Sequence, residues 1–448
     1  MTLSCEPTNQ LHIKQIFEGS DDFIYAETVL NKKKIHICYL QSLVSLKDTL
    51  DLLVNQLSHA DKDMDPAQYI VLSYNARANL SLDELVESLL QGMLIIFQPD
   101  GIENVVFEPL HPKITRNIME AQNENPIQSS LDAFTEDMNM NVGLVRSKLR
   151  TKNLVIQSHS LGSDYPRELS VLYLKDQANP KMVELISDCL NENKMMDISD
   201  VQRLLKALKQ PSFSLIPTYV TSELPSATKH YLQDGRVVII LDHFPFAISF
   251  PAIVTDFWAV KTDQDHPLPF MILYRIIRII ALLVAISMPG LYVVLNAVNP
   301  ELLRIQLAVS ITDSREGVPY PVLVEVMLML IIIEMVIEAS IRLPKSIGPT
   351  ITMVGGIVLG EAVVQARLMS NFLIIIVAVT TIAHFTLGTY MNSLSIRLYK
   401  YVVIVFCALY GILGLMASLV LLCFYLGSIS TFSIPYLSLT AKRGKSNE

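Results

Sequence analysis

REGVPYPVLVEVMLMLIIIEMVIEASIRLPKSIGPTITMVGGIVLGEAVVQ, residues 315–365, decides how this chain is read. Two apolar helices are written in it, about Val322–Arg342 and Ile347–Gln365, with a break at Pro344. Glu325, Glu334, Glu338 and Arg342 interrupt an otherwise aliphatic first helix. At 100° per residue, Glu334, Glu338 and Arg342 share a stripe about 80° wide, and Glu325 falls on the opposite side. Glu338 and Arg342 have the favourable i,i+4 order. In a bilayer each such charge costs several kcal/mol unless it meets a partner or water. The stripe is therefore a wet pathway, a buried ion-pair network or a subunit contact, unless the helix lies in the interface outside the hydrocarbon. The second helix carries Gly348, Gly355, Gly356 and Gly360, with Gly356 and Gly360 as a small-xxx-small pair suited to close helix packing. Glu361 follows in its last turn. Pro344, Gly348 and Pro349 make a tight, stiff connection.

The composition divides the chain. Of 448 residues, 51% are hydrophobic, and the net charge is −8. Residues 261–448 hold 13 basic and 10 acidic side chains, a net of +3, which leaves 22 against 33, a net of −11, for residues 1–260. An acidic, water-soluble front half precedes an apolar back half. This balance, without a basic patch interleaved with aromatics, argues against a nucleic-acid partner. Cys5, Cys38, Cys189, Cys407 and Cys423 are scattered, so neither a metal site nor a disulfide framework is implied. The N-terminus is polar and has no apolar signal region, so the front half is expected in the cytoplasm.

The front half reads as an α/β region of two subdomains, 1–130 and 131–243. Phe23–Leu30 and Lys34–Leu40 form a hairpin pattern across Asn31–Lys33. Leu43–Leu57 has helical spacing, and YIVLSYN, residues 69–75, reads as a short strand. Ser81 and Glu84 form a capping box. GMLIIF (92–97) and NVVFEPL (104–110) are strands. The polar AQNENPIQSS (121–130) is a linker. FTEDMNMNVGLVRSKLR (134–150) is a helix, NLVIQ and ELSVLYLKD are strands, Asn179-Pro180 opens a helix, Ser199 caps another, and RVVIILD (236–242) is a buried strand. Walker A, GxSxG, HExxH and GxGxxG patterns are absent, so the reading is not an enzyme and calls for no cofactor.

Residues 244–270 read as a linker leading into the membrane, with Trp258 at a membrane–water boundary. Residues 271–430 form an all-α membrane domain of four to five spans with re-entrant or interfacial segments, and 431–448 a short basic tail. Span one, about Met271–Val298, has Arg275 and Arg278 at its cytoplasmic end and a kink at Ser287, Pro289 and Gly290. Leu302–Ile311 is too short to span. Phe372–Leu387 is a span containing His384, expected as a hydrogen-bonded packing group. Arg397 and Lys400 mark a cytoplasmic loop, and Val402–Gly427 is one long span with Gly411 and Gly414 as packing positions. Five spans would put the basic tail opposite the front half. The expectation is four crossings plus one segment that fails to cross.

Several words resemble the A subunit of GerA-type spore germinant receptors: REGVPYP, EASIRLPKSIG and MVGGIVLGEAVVQA in the membrane region, FTEDMNMNVGLVR, VLYLKDQANP and DGRVVIILDHFPFAISFP before it, and SIPYLSL near the end. The likeness covers most of the chain. Departures fall at Gln128-Ser129-Ser130, at residues 222–226 and at Asp265-His266-Pro267. The resemblance implies a multi-pass subunit in the inner membrane of a bacterial spore, with a cytoplasmic front half, a transporter-like B subunit and a lipoprotein C subunit as partners, and a homo-oligomer supplying a nutrient-gated cation path. On that reading Glu325, Glu334, Glu338, Arg342 and Glu361 belong to a gate. Pro289, Gly290, Pro344, Gly348, Gly355, Gly356 and Gly360 are its packing and hinge positions. A non-conducting scaffold and a secondary transporter are the alternatives.

Overall fold

The structure, a computed structural model, describes residues 8–30, 33–58, 66–74, 76–98, 104–110, 132–261, 263, 266–343, 348–387 and 390–441. The polar linker at 121–130, Pro344 and the tail beyond residue 441 lie outside them, as does the turn at 31–32.

The first unit runs α1 (Thr8–Ile16), β1 (Phe23–Leu30), β2 (Lys33–Leu40), α2 (Leu46–Ser58), α3 (Pro66–Tyr74), β3 (Arg77–Ala78), α4 (Leu82–Leu90), β4 (Leu94–Phe97), β5 (Asn104–Phe107). The second runs α5 (Met138–Lys148), β6 (Leu154–Leu161), β7 (Arg167–Leu174), α6 (Pro180–Glu192), α7 (Val201–Ala207), β8 (Val220–Ser222), α8 (Pro225–Gln233), β9 (Val237–Leu241), β10 (Ala247–Phe250). The two strings of elements are the same. Their sheets also share one order, β1-β2-β4-β5-β3 and β6-β7-β9-β10-β8. The front half is thus one antiparallel α/β layout built twice, with no repeat visible in the residues.

Local signals explain most elements. Glu84 accepts from the Ser81 N–H at 2.9 Å, as the capping box requires. Asp137 caps α5 through the Met140 N–H, and Asn179 caps α6 with Pro180 at its first position. The cap of α7 is Asp200, one residue beyond the expected Ser199. Residues 69–74 of YIVLSYN belong to α3 instead of a strand, because Pro66 opens a helix there and turns Ile70 into the core while Leu72 faces out; Asn75 lies outside the described residues. Part of the expected membrane linker is β10, paired with β9 and β8 and fully buried. Trp258, expected at a bilayer boundary, packs partly buried against the core that β9 and β10 share.

The units are locked by a buried ion pair. Arg146 on α5 reaches Asp22 at 3.0 Å, and neither side chain sees solvent. Asp22 also accepts from the Ser42 N–H at 2.8 Å, and Asp21 N–H donates to Ile156 C=O at 2.8 Å.

The helical region comprises α9 (Leu268–Val293), α10 (Ile305–Ser314), α11 (Val322–Arg342), α12 (Gly348–Gln365), α13 (Asn371–Phe385) and α14 (Tyr390–Ser428), then a small hairpin of β11 (Ser430–Thr431) and β12 (Ile434–Pro435). Helix α9 continues through Pro289 and ends in a π-helical turn over Val294–Val298. Its start is tied to the linker by Arg278, which pairs with Asp263 and donates to Trp258 C=O at 3.2 Å.

Helix α14 is folded in two. Gly411 has φ 59° and ψ −136°, outside any helix. Tyr399 Oη donates to Ser418 C=O at 2.6 Å. Nineteen residues of straight helix would separate those positions by about 28 Å. A Cβ at Gly414 would lie 2.0 Å from Phe406 C=O. The limbs 390–410 and 412–428 are therefore antiparallel, which corrects the single span expected over Val402–Gly427. Hydropathy carries no direction, and the reversal costs one glycine.

Both ends of this hairpin return to the front half. Asn392 Nδ2 donates to Asp256 C=O at 3.0 Å, and Tyr425 Oη accepts from the Leu215 N–H at 2.9 Å. Asp256 is itself held, buried, by both guanidinium nitrogens of Arg236 at 2.6 and 2.9 Å. The tip at Gly411 meets Asn299, beyond the far end of α9, where Asn299 Oδ1 accepts from the Ile412 N–H at 3.2 Å. The far end also gathers the starts of α11 and α13, since Tyr292, Val322 and Leu373 share one core. The chain thus leaves the α/β units on α9, returns on α11, leaves on α12, returns on α13, and makes a last round trip on α14. Two helices, Leu268–Val298 and Met391–Ser428, are long and apolar enough to cross a membrane by length and composition.

Candidate functional site

The acidic positions of α11 separate into three environments. Glu325, in its first turn, is fully buried. Its Oε1 accepts from the Ser370 N–H at 2.7 Å, and Arg315 Nε stands 3.4 Å from its Oε2. Ser370 caps α13 through the Leu373 N–H at 3.3 Å, and its hydroxyl meets Tyr292 Oη at 3.0 Å. This carboxylate joins α9, α11, α13 and the turn after α10 at the far end. Arg315 also donates to Tyr320 C=O at 3.3 Å and lines an outer cleft of about 530 Å³ with Asn296, Asp313 and Glu316.

Glu334 stands about 13 Å further along α11, nine residues at 1.5 Å each. It is shared by two cations of the first limb of α14: Arg397 Nη2 pairs with Oε2, and Lys400 Nζ donates to Oε1 at 3.0 Å. Arg397 and Lys400 were expected in a cytoplasmic loop; they are buried helix residues. Positive charge at a drop in hydropathy resembles a loop in sequence, whereas here a carboxylate 63 and 66 positions earlier takes it into the packed helices. One carboxylate between two cations leaves a local excess of one positive charge. His384 on α13 is buried close by, and among the described residues neither of its ring nitrogens has a hydrogen-bond partner, unlike the bonded packing group expected.

Glu338 and Arg342 form the expected i,i+4 pair at 2.6 Å, with side chains 55% and 78% exposed in the single chain. The stripe read from the sequence therefore changes character along its length, packed at Glu334 and open at Glu338 and Arg342. Glu361 on α12 is exposed and accepts from Gln365 Nε2 at 3.0 Å, away from the other carboxylates.

The small residues divide likewise. Gly290 is a close crossing, because a Cβ there would lie 2.8 Å from Cys407 Sγ on α14. Pro289 precedes it within α9. Gly348 opens α12, whereas a Cβ at Gly355, Gly356 or Gly360 would meet nothing within 4 Å. Within one chain, no neighbour among the described residues uses the expected packing face of α12.

Sequence reasoning missed Arg315, Ser370, Arg397, Lys400 and Asn299 as partners. A signal existed for two of them, since Arg397 and Lys400 are charges inside an apolar stretch and such charges mark partners by default. Ser370 and Asn299 act through a main-chain contact and a turn that composition does not reveal.

Similarity to other proteins extends over nearly the whole chain. A sequence profile of the family described as Bacillus/Clostridium GerA spore germination protein matches residues 11–447. The chain is 29% identical over 430 residues to spore germination protein GerQA of Bacillus cereus, covering 95% of this chain and 85% of that one. It is 27% identical over 432 residues to spore germination protein B1 of Bacillus subtilis (strain 168), covering 95% and 89%. The crystal structure of the N-terminal domain of the A subunit of the Bacillus megaterium spore germinant receptor GerK3 is 23% identical, covers 55% of this chain and 94% of that chain, and superimposes with a TM-score of 0.41.

Proposed function

This chain belongs to the Bacillus/Clostridium GerA spore germination protein family, and on that footing we propose that it is the multi-pass membrane subunit of a germinant receptor in the inner spore membrane. The carrying observation is Glu334 held between Arg397 and Lys400, deep in an aliphatic helix. Such a cluster in a bilayer is expensive to isolate and cheap to keep paired, so it suits a latch between two helix arrangements.

In this reading the soluble units lie on the cytoplasmic side, and α9, α11, α12, α13 and both limbs of α14 cross the bilayer. Six crossings bring the chain back to the side it left, the even count that the positive-inside rule calls for. A transporter-like subunit and a lipoprotein complete the receptor. Copies of this chain assemble around an axis, with α11 and α12 facing it. The uncovered Gly355, Gly356 and Gly360 supply close helix contacts between copies. Parting α11 from α14 releases the Glu334 carboxylate from its cations. With Glu338 and Glu361 it then forms rings of acids that favour cations.

The test is cation flux from liposomes holding the full-length chain with its co-expressed partners, repeated with Glu334→Gln and Glu334→Asp. Flux that is lost with glutamine and retained with aspartate supports the latch and the path. Equal phenotypes for the two removes charge from the mechanism.

The pairing of every carboxylate on α11 favours one second reading, a subunit that transmits the signal while a partner conducts. Flux indifferent to all substitutions at Glu334, Glu338 and Glu361, in a folded complex, would establish it.

A further inference from the structure

The 208–219 segment connects α7 to β8 and leans on the helical region. Ser214 Oγ lies 3.3 Å from Tyr425 Oη, and the Leu215 N–H donates to the same hydroxyl at 2.9 Å. Pro211, Ser212 and Leu215 wall a cleft of about 140 Å³ against Met391, Leu394 and Leu398 of α14. Leu398 is about 10 Å along the helix from Met391. The segment therefore reaches the level where α14 already shows apolar side chains outward: Leu398 is half exposed, and Phe424 more so. At the tip of this braced segment stands Phe213, 94% exposed, the most open large apolar side chain among the described residues. Nothing in its own unit covers it. Lys206, in the last turn of α7, and Lys209, paired with Glu192, flank it on the soluble side.

We infer that Phe213 is a membrane-surface anchor, inserted at the boundary between headgroups and acyl chains, and that it fixes how the second α/β unit sits on the bilayer. The inference rests on the membrane reading above. The occupant is lipid because the exposed ring continues the apolar belt of α14, at the end of that belt nearest the soluble units. Aromatic rings favour that depth, where an apolar body meets a wet, charged rim. Lys209 and Lys206, four and seven residues before Phe213 in the chain, place ammonium groups at phosphate level. The loop is held by Tyr425, itself on a helix that crosses, so insertion needs no ordering of a free segment.

The experiment uses the full chain in nanodiscs of phosphatidylcholine and phosphatidylglycerol whose acyl chains carry bromine near the headgroup or near the bilayer centre. Phe213→Trp and, separately, Phe424→Trp are read as difference spectra against the parent, which keeps Trp258 in place. Both positions are exposed, so the variants fold. The expected result is several-fold stronger quenching of Trp at 213 by the shallow bromolipid than by the deep one, with weak quenching by iodide. Quenching at 213 by iodide alone, while 424 responds to bromolipid, overturns the anchor and leaves the membrane reading standing. Protection of 213 from both quenchers assigns it to a protein partner and also overturns the proposal. Loss of bromolipid quenching at both positions overturns the membrane reading and the anchor with it.

Discussion

Glu334 on α11 and Lys400 on α14 are 66 positions apart in the chain and meet at 3.0 Å. With Arg397 on the same carboxylate, this contact fastens the mid-length of α11 to the limb of α14 that starts on the soluble units. Arg397 lies five residues beyond Asn392, which is bonded to Asp256, which is bonded to Arg236, the residue before β9. Two sets of polar contacts, five residues apart on one limb of α14, thus hold that limb to the second α/β unit and to the acidic helix.

Removing the charge at Glu334 leaves two cations facing each other with side chains 4% and 10% exposed. Glu334→Gln is expected to lower the stability of the helical region by about 3 kcal/mol, the cost typical of leaving a buried charge unpaired. Adding Lys400→Met to it should recover part of that loss. Thermal unfolding of the full chain in nanodiscs measures both. A double variant no better than the single would show that the two side chains are not coupled.

Glu338→Gln tests the opposite case. Its pair with Arg342 is largely exposed, and such pairs contribute about 0–1 kcal/mol. The thermal midpoint of the single chain should barely move. A loss comparable to that at Glu334 would mean that Glu338 is buried by a neighbouring copy.

The lock between the α/β units has its own signature. Arg146→Met strands the buried Asp22 carboxylate with Ser42 still donating to it, so a loss of about 3–5 kcal/mol is expected. The two units should then unfold in separate steps, visible as a second transition in urea and as new protease sites near residue 22. A single unchanged transition would place the coupling elsewhere.

The legibility of this chain was uneven for physical reasons. Short apolar runs such as Leu154–Ile156 and capped helices such as α6 announce themselves, because their causes are local. The resemblance carried the family from short words. Hydropathy marked the apolar helices but could not show the reversal at Gly411, since apolarity is the same in both directions. Nor could it pair Glu334 with Arg397 and Lys400, because a contact across 63 residues is a property of packing. The sequence set Glu325 apart by its side of the helix but gave no depth to any of the four carboxylates; burial and partners divide them into one fully buried group, one half-buried group and two exposed ones.

His159 on β6 gives a pH dependence. Burial holds its imidazole below the usual histidine range, with nearby Asp21 opposing that shift. Its folded pKa is depressed, so the unfolded chain binds the extra proton first. The contribution to stability is full above the unfolded value, about 6.5, and is lost as pH falls below it. His159→Gln should flatten the fall in denaturation midpoint of the soluble units between neutral and mildly acidic pH. An identical slope in parent and variant would remove the histidine as its cause.

The reversal of α14 depends on one residue. At φ 59° and ψ −136°, Gly411 occupies backbone space that side-chain-bearing residues enter at a cost of about 1–3 kcal/mol. A Cβ would also lie 2.1 Å from Asn299 Oδ1 and 2.9 Å from Val298 Cγ1, so Gly411→Ala meets the wall at the far end of α9 as well. The expected outcome is a marked loss of folded protein. Asn299→Ala alone should cost less, since it removes only the bond to the Ile412 N–H. Combining the two substitutions should relieve the overlap yet leave the backbone strain, so the double variant falls between Gly411→Ala and the parent. On the membrane reading proposed above, the hairpin carries a topological expectation: tags at the two termini lie on the same face of a sealed vesicle. Opposite faces would mean that α14 crosses once, as a straight helix, and that Tyr399 and Ser418 do not meet.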